Sequence, residues 1–193
     1  SVPSQRVFYE RRLNQLGRAD RLLAISEFSR DEAVSTLNLE AHRVINISAA
    51  VAPGFVPPNG CEQAVPNFSS SLRDWGVRDE FVLYVPGGFD ARKNFERLFA
   101  AYGQLPERLR HRYQLVIPGK LDKGRADLLM SYARAAGLTD DDLVLVGYVT
   151  DRRLRDLYRH TALFVFPSLH EGFGLPVLEA MSCHAPVIAA NTS

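Results

Sequence analysis

The feature that most constrains the fold of this chain is a strict alternation of short apolar runs with amphipathic segments between residues 81 and 189. Each run has the length of a buried strand, and each run but the last ends at a glycine or a proline before helical periodicity begins. The predicted strands are residues 81–85, 113–117, 143–146, 163–166 and 187–189, and the predicted helices are residues 94–102, 126–136, 151–160 and 176–182. Strands that alternate with helices in this way predict an α/β protein with a parallel, doubly wound sheet.

The residues before this region predict a smaller, separate unit. Its predicted elements are helices over residues 9–17 and 29–37 and strands over residues 21–28 and 43–47. Ser29 is followed three residues later by Glu32, a capping-box spacing that predicts a helix start at Ser29. A segment rich in proline and glycine, residues 53–60, then predicts a domain boundary. The predicted domains are residues 1–58 and 59–193.

Composition excludes several classes of function. With 193 residues, 46% hydrophobic content and a net charge of +1, the chain is an ordinary globular protein without the basic excess of a nucleic-acid binder. Cys61, Cys183 and the five histidines lack metal-ligand spacing, so we expect no metal and no cofactor, and a reducing, cytoplasmic setting. No apolar run approaches the ~18 residues of a membrane span, which leaves only peripheral association with the inner membrane face open. Neither a nucleophile elbow nor a complete P-loop is present.

Ligands of doubly wound sheets bind at the carboxyl ends of the strands, where this chain carries several candidate residues. The candidates are Gly87, Gly88, Arg92, Lys93, Lys120, Tyr148 and Val149. Arg92 and Lys93 predict a diphosphate clamp, because cations at a helix N-terminus oppose its dipole unless an anion binds there; the alternative is a solvated pair. Lys120 is either a second phosphate contact or a surface lysine. Tyr148 can stack on a base, and Val149 can offer backbone groups to the edge of that base, in a turn where Thr150 or Asp151 also caps the next helix.

The segment 166–181 combines a glycine-rich turn, a helix N-terminus and two glutamates, Glu171 and Glu179. Free backbone N–H groups and the helix dipole make the turn an anion site. Carboxylates accept hydrogen bonds from hydroxyl groups, so the pair predicts a ligand that carries both phosphates and sugar hydroxyls, which is a nucleotide sugar. The alternative for Glu179, a solvated helix-surface carboxylate, is weakened by the apolar residues on both sides of it.

Three segments resemble the family 4 retaining glycosyltransferases, also called glycosyltransferase group 1. They are Ser-Leu-His-Glu-Gly-Phe-Gly-Leu-Pro-Val-Leu-Glu-Ala-Met at residues 168–181, the stretch from Tyr84 to Asn94, and residues 19–30. The resemblance implies a GT-B architecture of two Rossmann-like domains with the active site between them. Residues 1–58 would be the tail of the acceptor-side domain, and the remainder would be a donor-binding domain truncated at its C-terminal end. On this view the chain alone binds donor weakly and transfers little.

The resemblance also implies a role for each site residue. Glu171, the catalytic candidate, would lie near the donor sugar and bond its hydroxyls, and Glu179 would bond the ribose hydroxyls. Gly172, Phe173, Gly174 and Leu175 would offer backbone N–H groups to the sugar and the diphosphate. Arg92 and Lys93 would neutralise the diphosphate as it leaves, without a divalent metal.

The chain departs from the family pattern at Gly88, where many members carry an arginine, and at His184, where glycine is common. The expected activity is transfer of a hexose, with mannose from GDP-mannose as the specific expectation, to a glycan or lipid-linked acceptor. Two alternatives stay open: a non-catalytic nucleotide-binding module, and a GT-B sugar-nucleotide epimerase. The sequence does not indicate the linkage formed.

Overall fold

The computed structural model describes residues 2–55 and 72–192, which form two compact units, Ser1–Ala50 and Val51–Thr192. The division falls before the predicted boundary at residue 58, because the 3₁₀ turn Pro53–Phe55 belongs to the second unit. Phe55 is buried there, and the Gly54 carbonyl accepts a hydrogen bond from Arg155. Residues 56–60 of the predicted break and Cys61 lie outside the described residues. The assignment of the units to acceptor and donor sides stays a prediction.

The first unit contains α1 (Val2–Gly17), β1 (Leu22–Ala24), α2 (Glu27–Leu37) and β2 (Val44–Asn46), with β1 and β2 paired in parallel. Its core is formed by Ala24, Leu39 and Val44. The predicted helix start at Ser29 is wrong. Ser26 is the N-cap: its backbone is extended, as a cap requires, and its hydroxyl accepts a hydrogen bond from the Ser29 N–H at 2.9 Å.

The second unit carries the alternating pattern, and the prediction of an α/β fold with a parallel sheet is confirmed. Its strands are β3 (Phe81–Leu83), β4 (Gln114–Pro118), β5 (Leu143–Gly147), β6 (Leu163–Phe166) and β7 (Val187–Ala189). Its helices are α3 (Phe95–Gly103), α4 (Glu107–Arg112), α5 (Lys123–Ala135), α6 (Asp151–His160) and α7 (Leu175–Ser182). Helix α4 was not predicted, because its Glu-Arg-Leu-Arg-His-Arg sequence has no apolar face.

The order of the strands in the sheet creates the place where a ligand can bind. The five parallel strands lie in the order β5-β4-β3-β6-β7. From β3 the chain builds outward through β4 and β5, and then returns to place β6 on the opposite side of β3. The loops that follow β3 and β6 therefore diverge, and such a switch point leaves a crevice at the carboxyl edge of the sheet.

Candidate active site

Hydrogen bonds join the two loops that leave the sheet at the switch point. The loop after β3 ends in a 3₁₀ turn, Ala91–Lys93, and in Asn94, whose φ of +60° starts α3. The Asn94 side-chain amide donates to the Pro167 carbonyl at 2.9 Å, and the Leu169 N–H donates to the Arg92 carbonyl at 2.8 Å. The loop after β6, which carries the glutamate motif, is thereby held against the loop that carries the two cations.

Lys93 and Glu171 form an ion pair at this junction. The Lys93 Nζ lies 2.6 Å from Glu171 Oε1, and the two side chains are only 6% and 18% exposed. The sequence predicted that Lys93 and Arg92 act together at a helix N-terminus, uncompensated until an anion binds. In the structure both residues precede Asn94 in the 3₁₀ turn, and Lys93 is paired with Glu171; the diphosphate clamp stays a prediction.

Arg92 is about half exposed, in contrast to Lys93. Its Nε donates to Asp90 Oδ1 at 2.8 Å. Partial burial tends to raise the pKa of Asp90, but the hydrogen bond and charge of Arg92 outweigh this and hold the pKa below its ordinary value. Arg92 thus bonds Asp90 at the surface and Lys93 is buried against Glu171, and the charge of Lys93 also helps to lower the pKa of Asp90.

A cleft of about 720 Å³ lies at the carboxyl ends of β3, β4 and β5. Among the predicted residues, its lining includes Gly87, Gly88, Lys120, Tyr148 and Val149. Lys120 is exposed, and the Tyr148 side chain is 73% exposed at the cleft. Of the two predicted caps, Thr150 and Asp151, Thr150 is the N-cap of α6. Its hydroxyl accepts a hydrogen bond from the Arg153 N–H.

The lining residues that sequence reasoning missed include Phe89, Arg125 and Leu154. Arg125 lies in the first turn of α5, whose N-cap Asp122 accepts a hydrogen bond from the Arg125 N–H. Arg125 lies six residues after the strand-end glycine Gly119 and near the start of the next helix, which was a usable signal, since cations between a strand end and a helix start drew attention to Arg92 and Lys93. Phe89 and Leu154 are apolar, and sequence alone does not distinguish a cleft wall from a core.

Phe89 and Gly119 form one wall of this cleft in close contact. The ring of Phe89 stacks on Phe95 at 5.6 Å between centroids, with 9° between the planes. Gly119 has φ of +152°, and a Cβ placed on it would lie 2.6 Å from Phe89 Cζ. Only glycine allows both this backbone conformation and this close approach of the ring.

Glu179 lies on α7, which begins after Gly174, a residue with φ of +87°. Its Oε2 accepts a hydrogen bond from the Tyr158 hydroxyl at 3.0 Å. Burial raises the pKa of Glu179, the Tyr158 hydrogen bond acts in the opposite direction, and the negative charge of Asp151 adds to the increase. Glu179 is therefore not a simple solvated carboxylate of the helix surface.

The predicted residues fall into two groups. One group lines the cleft, and the other comprises residues 92 and 93, the turn of residues 171–175 and Glu179. The described residues that line the cleft do not include Arg92, Lys93, Glu171, Gly172, Phe173, Gly174, Leu175 or Glu179. Gly88 connects the two groups, because a Cβ on it would lie 3.8 Å from Lys93 Cε. Within the turn of residues 171–175, Gly172, Phe173 and Gly174 are partly exposed and Leu175 is 38% exposed.

Residues 2–55 and 72–192 contain neither a metal centre nor a membrane-spanning helix. No three His, Cys, Asp or Glu side chains of that part of the chain are grouped as a metal ion requires. No helix described there combines the length and the apolar composition needed to cross a bilayer. The expectation of metal-independent chemistry stays a prediction.

The fold is that of the GT-B glycosyltransferases. The crystal structure of WaaG, a glycosyltransferase of lipopolysaccharide biosynthesis, matches 89% of this chain with a TM-score of 0.70 and 20% identity, over 44% of its own chain. The structure of Anabaena Alr3699/HepE in complex with UDP and glucose matches 94% of this chain with a TM-score of 0.74 and 20% identity, over 47% of its own chain.

The chain belongs to the glycosyl transferases group 1, whose family model matches residues 72–193. The family resemblance predicted from the sequence is thus confirmed. The serotype-specific mannosyltransferase WbdA of Escherichia coli is 39% identical over 194 residues, which are 98% of this chain and 23% of WbdA. The O-antigen chain mannosyltransferase B of Escherichia coli is 35% identical over 193 residues, which are 99% of this chain and 49% of that protein. The chain therefore spans about a quarter and about half of these relatives.

Proposed function

We propose that this chain forms the donor side of a retaining glycosyltransferase that moves a hexose from a nucleotide diphosphate sugar to an acceptor hydroxyl. The observation that carries the proposal is the contact between Lys93 and Glu171 at the switch point of the sheet. A cation for a diphosphate and a carboxylate for sugar hydroxyls lie side by side there, next to a cleft large enough for a nucleoside.

In the proposed complex, the base lies in the cleft against Tyr148 and Val149. The diphosphate extends over Gly87 and Gly88 towards Lys93 and the N-terminal amides of α7, where residues 172–175 offer further N–H groups. Lys120 and Arg92 lie at the exposed rim, where either can add a phosphate contact. Glu171 bonds the hydroxyls of the transferred sugar, and Glu179 bonds those of the ribose.

The transfer step follows from this arrangement. The bond between the anomeric carbon and the diphosphate oxygen breaks, and its electron pair leaves with the diphosphate. The acceptor oxygen bonds the same face of the anomeric carbon, and its proton passes to a phosphate oxygen. Fixed amides and the Lys93 ammonium stabilise the negative charge that develops on the diphosphate. Glu171 accepts hydrogen bonds throughout and forms no covalent bond.

The names of the relatives support mannose as the sugar and O-antigen-type glycans, or their lipid-linked forms, as acceptors. GDP-mannose is accordingly the proposed donor. The proposed setting is the cytoplasm, at the inner face of the membrane where lipid-linked acceptors are exposed. Because the chain spans only part of these relatives, the transfer assay requires the natural full-length polypeptide.

A screen of nucleotide sugars by thermal stabilisation tests the donor assignment. We expect GDP-mannose to raise the unfolding temperature more than GDP-glucose, UDP-glucose or UDP-galactose, because a ligand at 100 times its Kd adds about 2.7 kcal/mol to the free energy of unfolding. Transfer of labelled mannose to a mannan acceptor is the second measurement. Nucleotide binding without transfer by the full-length polypeptide would favour the non-catalytic module, and turnover without acceptor would favour the epimerase.

We expect Glu179→Gln to lower the affinity for GDP about tenfold and to remove part of its pH dependence. The carboxylate accepts from hydroxyls more strongly than an amide, and a loss of 1.4 kcal/mol corresponds to this factor. The pKa of Glu179 is raised in the folded protein, so the carboxylate takes up a proton at a pH that is still above the ordinary pKa of glutamate. The protonated group accepts hydrogen bonds less well, so GDP binding weakens as the pH falls towards this range. Calorimetry of both proteins from pH 5 to 8 checks this, and parallel pH profiles would contradict it.

A further inference from the structure

Tyr158 is a buried residue to which neither the sequence motifs nor the proposed transfer step gives a role. It lies on α6, and its side chain is fully buried. Its ring packs edge to face against Phe55 at 6.1 Å and against Phe164 at 5.4 Å between centroids. Because aromatic rings hold the phenol from two directions, the position of its hydroxyl is set by the core of the second unit.

That hydroxyl donates to Glu179 Oε2 at 3.0 Å, and it is the only hydrogen-bond partner found for this carboxylate among the described residues. Burial, and then the charge of Glu179, raise the pKa of Tyr158 far above its ordinary value, so the phenol stays protonated and remains a donor. A carboxylate has about four lone-pair positions, so one donated bond leaves Oε1 and part of Oε2 to accept others.

We propose that Tyr158 is a positioning residue that fixes the plane of the Glu179 carboxylate so that its remaining acceptor positions meet the two ribose hydroxyls of the donor. This inference rests on the proposed function, because it takes a nucleotide as the ligand. A glutamate side chain on a helix has three rotatable bonds, and a bidentate contact with a vicinal diol needs one defined carboxylate plane. The Tyr158 hydroxyl defines that plane before the ligand arrives, which lowers the entropy cost of binding.

A second consequence is that the discrimination between ribose and deoxyribose depends on Tyr158 as well as on Glu179. A nucleotide without the 2′ and 3′ hydroxyls cannot donate to the carboxylate, so it gains nothing from a correctly oriented Glu179. If a substitution of Tyr158 acts through Glu179, it must lower the affinity for GDP and leave the affinity for 2′,3′-dideoxy-GDP unchanged. If the substitution instead damages the fold in general, it must weaken the binding of both nucleotides.

The test is calorimetric titration of GDP and 2′,3′-dideoxy-GDP into the natural full-length polypeptide and into its Tyr158→Phe variant, which removes one oxygen and keeps the ring. We expect wild type to bind GDP about tenfold more tightly than dideoxy-GDP. We expect the affinity of the variant to fall about fivefold for GDP alone, which is within the range of a typical net hydrogen-bond contribution. The double variant Tyr158→Phe/Glu179→Gln should be no weaker than Glu179→Gln, because the two residues act as one unit.

Tyr102→Phe is the matched control. Tyr102 is also buried, and its hydroxyl donates to the Tyr113 carbonyl at the far end of α3, so the substitution makes the same chemical change away from the site. We expect it to leave the ratio of GDP to dideoxy-GDP affinity at the wild-type value. Equal losses for both nucleotides in Tyr158→Phe, or no loss for GDP, would overturn the inference while leaving the proposed function intact. Failure of wild type to bind GDP, UDP or ADP would overturn both.

Discussion

Replacing Lys93 by methionine is expected to lower the free energy of unfolding of the second unit by about 3 kcal/mol and to abolish detectable GDP binding. The substitution removes the cation and leaves the Glu171 carboxylate in a setting where its side chain is only 18% exposed. Breaking a buried ion pair from one side typically costs about 3–5 kcal/mol, and the remaining exposure of Glu171 favours the lower end. Urea unfolding followed by the fluorescence of Trp75, the single tryptophan of the chain, measures the change.

The double variant Lys93→Met/Glu171→Leu separates stability from function. Replacing both charges by apolar side chains of similar volume removes the carboxylate that loses its Lys93 partner in the single variant, so we expect stability within about 1 kcal/mol of wild type. Nucleotide binding should remain absent, because neither the cation nor the carboxylate is restored. Wild-type stability in Lys93→Met itself would show that the ion pair is not maintained in solution, and GDP binding by the double variant would refute the diphosphate role of Lys93.

Gly119→Ala is expected to lower the free energy of unfolding by about 3 kcal/mol and to weaken GDP binding by more than tenfold. The added methyl group would lie 2.6 Å from Phe89 Cζ, and φ of +152° is unfavourable for any residue with a Cβ. Overpacking of this kind costs about 1–3 kcal/mol, and backbone strain adds about 1–2 kcal/mol. Because Phe89 lines the cleft, its displacement changes the surface that we assign to the base.

Gly124→Ala is the control for this substitution. Gly124 lies in α5, its φ is not in the left-handed region, and a Cβ there would meet only Asp122 Oδ1 at 3.6 Å. Alanine in a helix interior is favoured over glycine by about 0.5–1 kcal/mol, so we expect equal or slightly higher stability and unchanged GDP affinity. The combination Gly119→Ala/Phe89→Leu should recover part of the stability by relieving the contact. Undiminished stability of Gly119→Ala alone would contradict the assigned packing.

The periodicity of the chain was sufficient to predict most elements of the second unit. In the helix predicted over residues 94–102, the apolar residues at helical spacing are buried as a set: Phe95, Leu98, Phe99 and Tyr102. Gly137 follows α5 with φ of +77°, as a helix stop requires. These predictions succeeded because helix and strand periods are local properties of sequence. Helix α4 and the cap at Ser26 were missed because tertiary pairing and backbone geometry, rather than local pattern, determine them.

The sequence by itself determined the parallel sheet, the positions of its strand ends and the residue types gathered there, since each depends on neighbours within a few positions along the chain. Only the tertiary structure decided which of these residues share an environment. Lys93 and Glu171 are far apart in sequence and form one ion pair, whereas Arg92 and Lys93 are adjacent and face different partners. Likewise, the Tyr158 hydroxyl reaches Glu179 only because α6 packs beside α7. The physical reason is that charge balance and burial depend on distances in space, which strand order sets and local sequence does not encode.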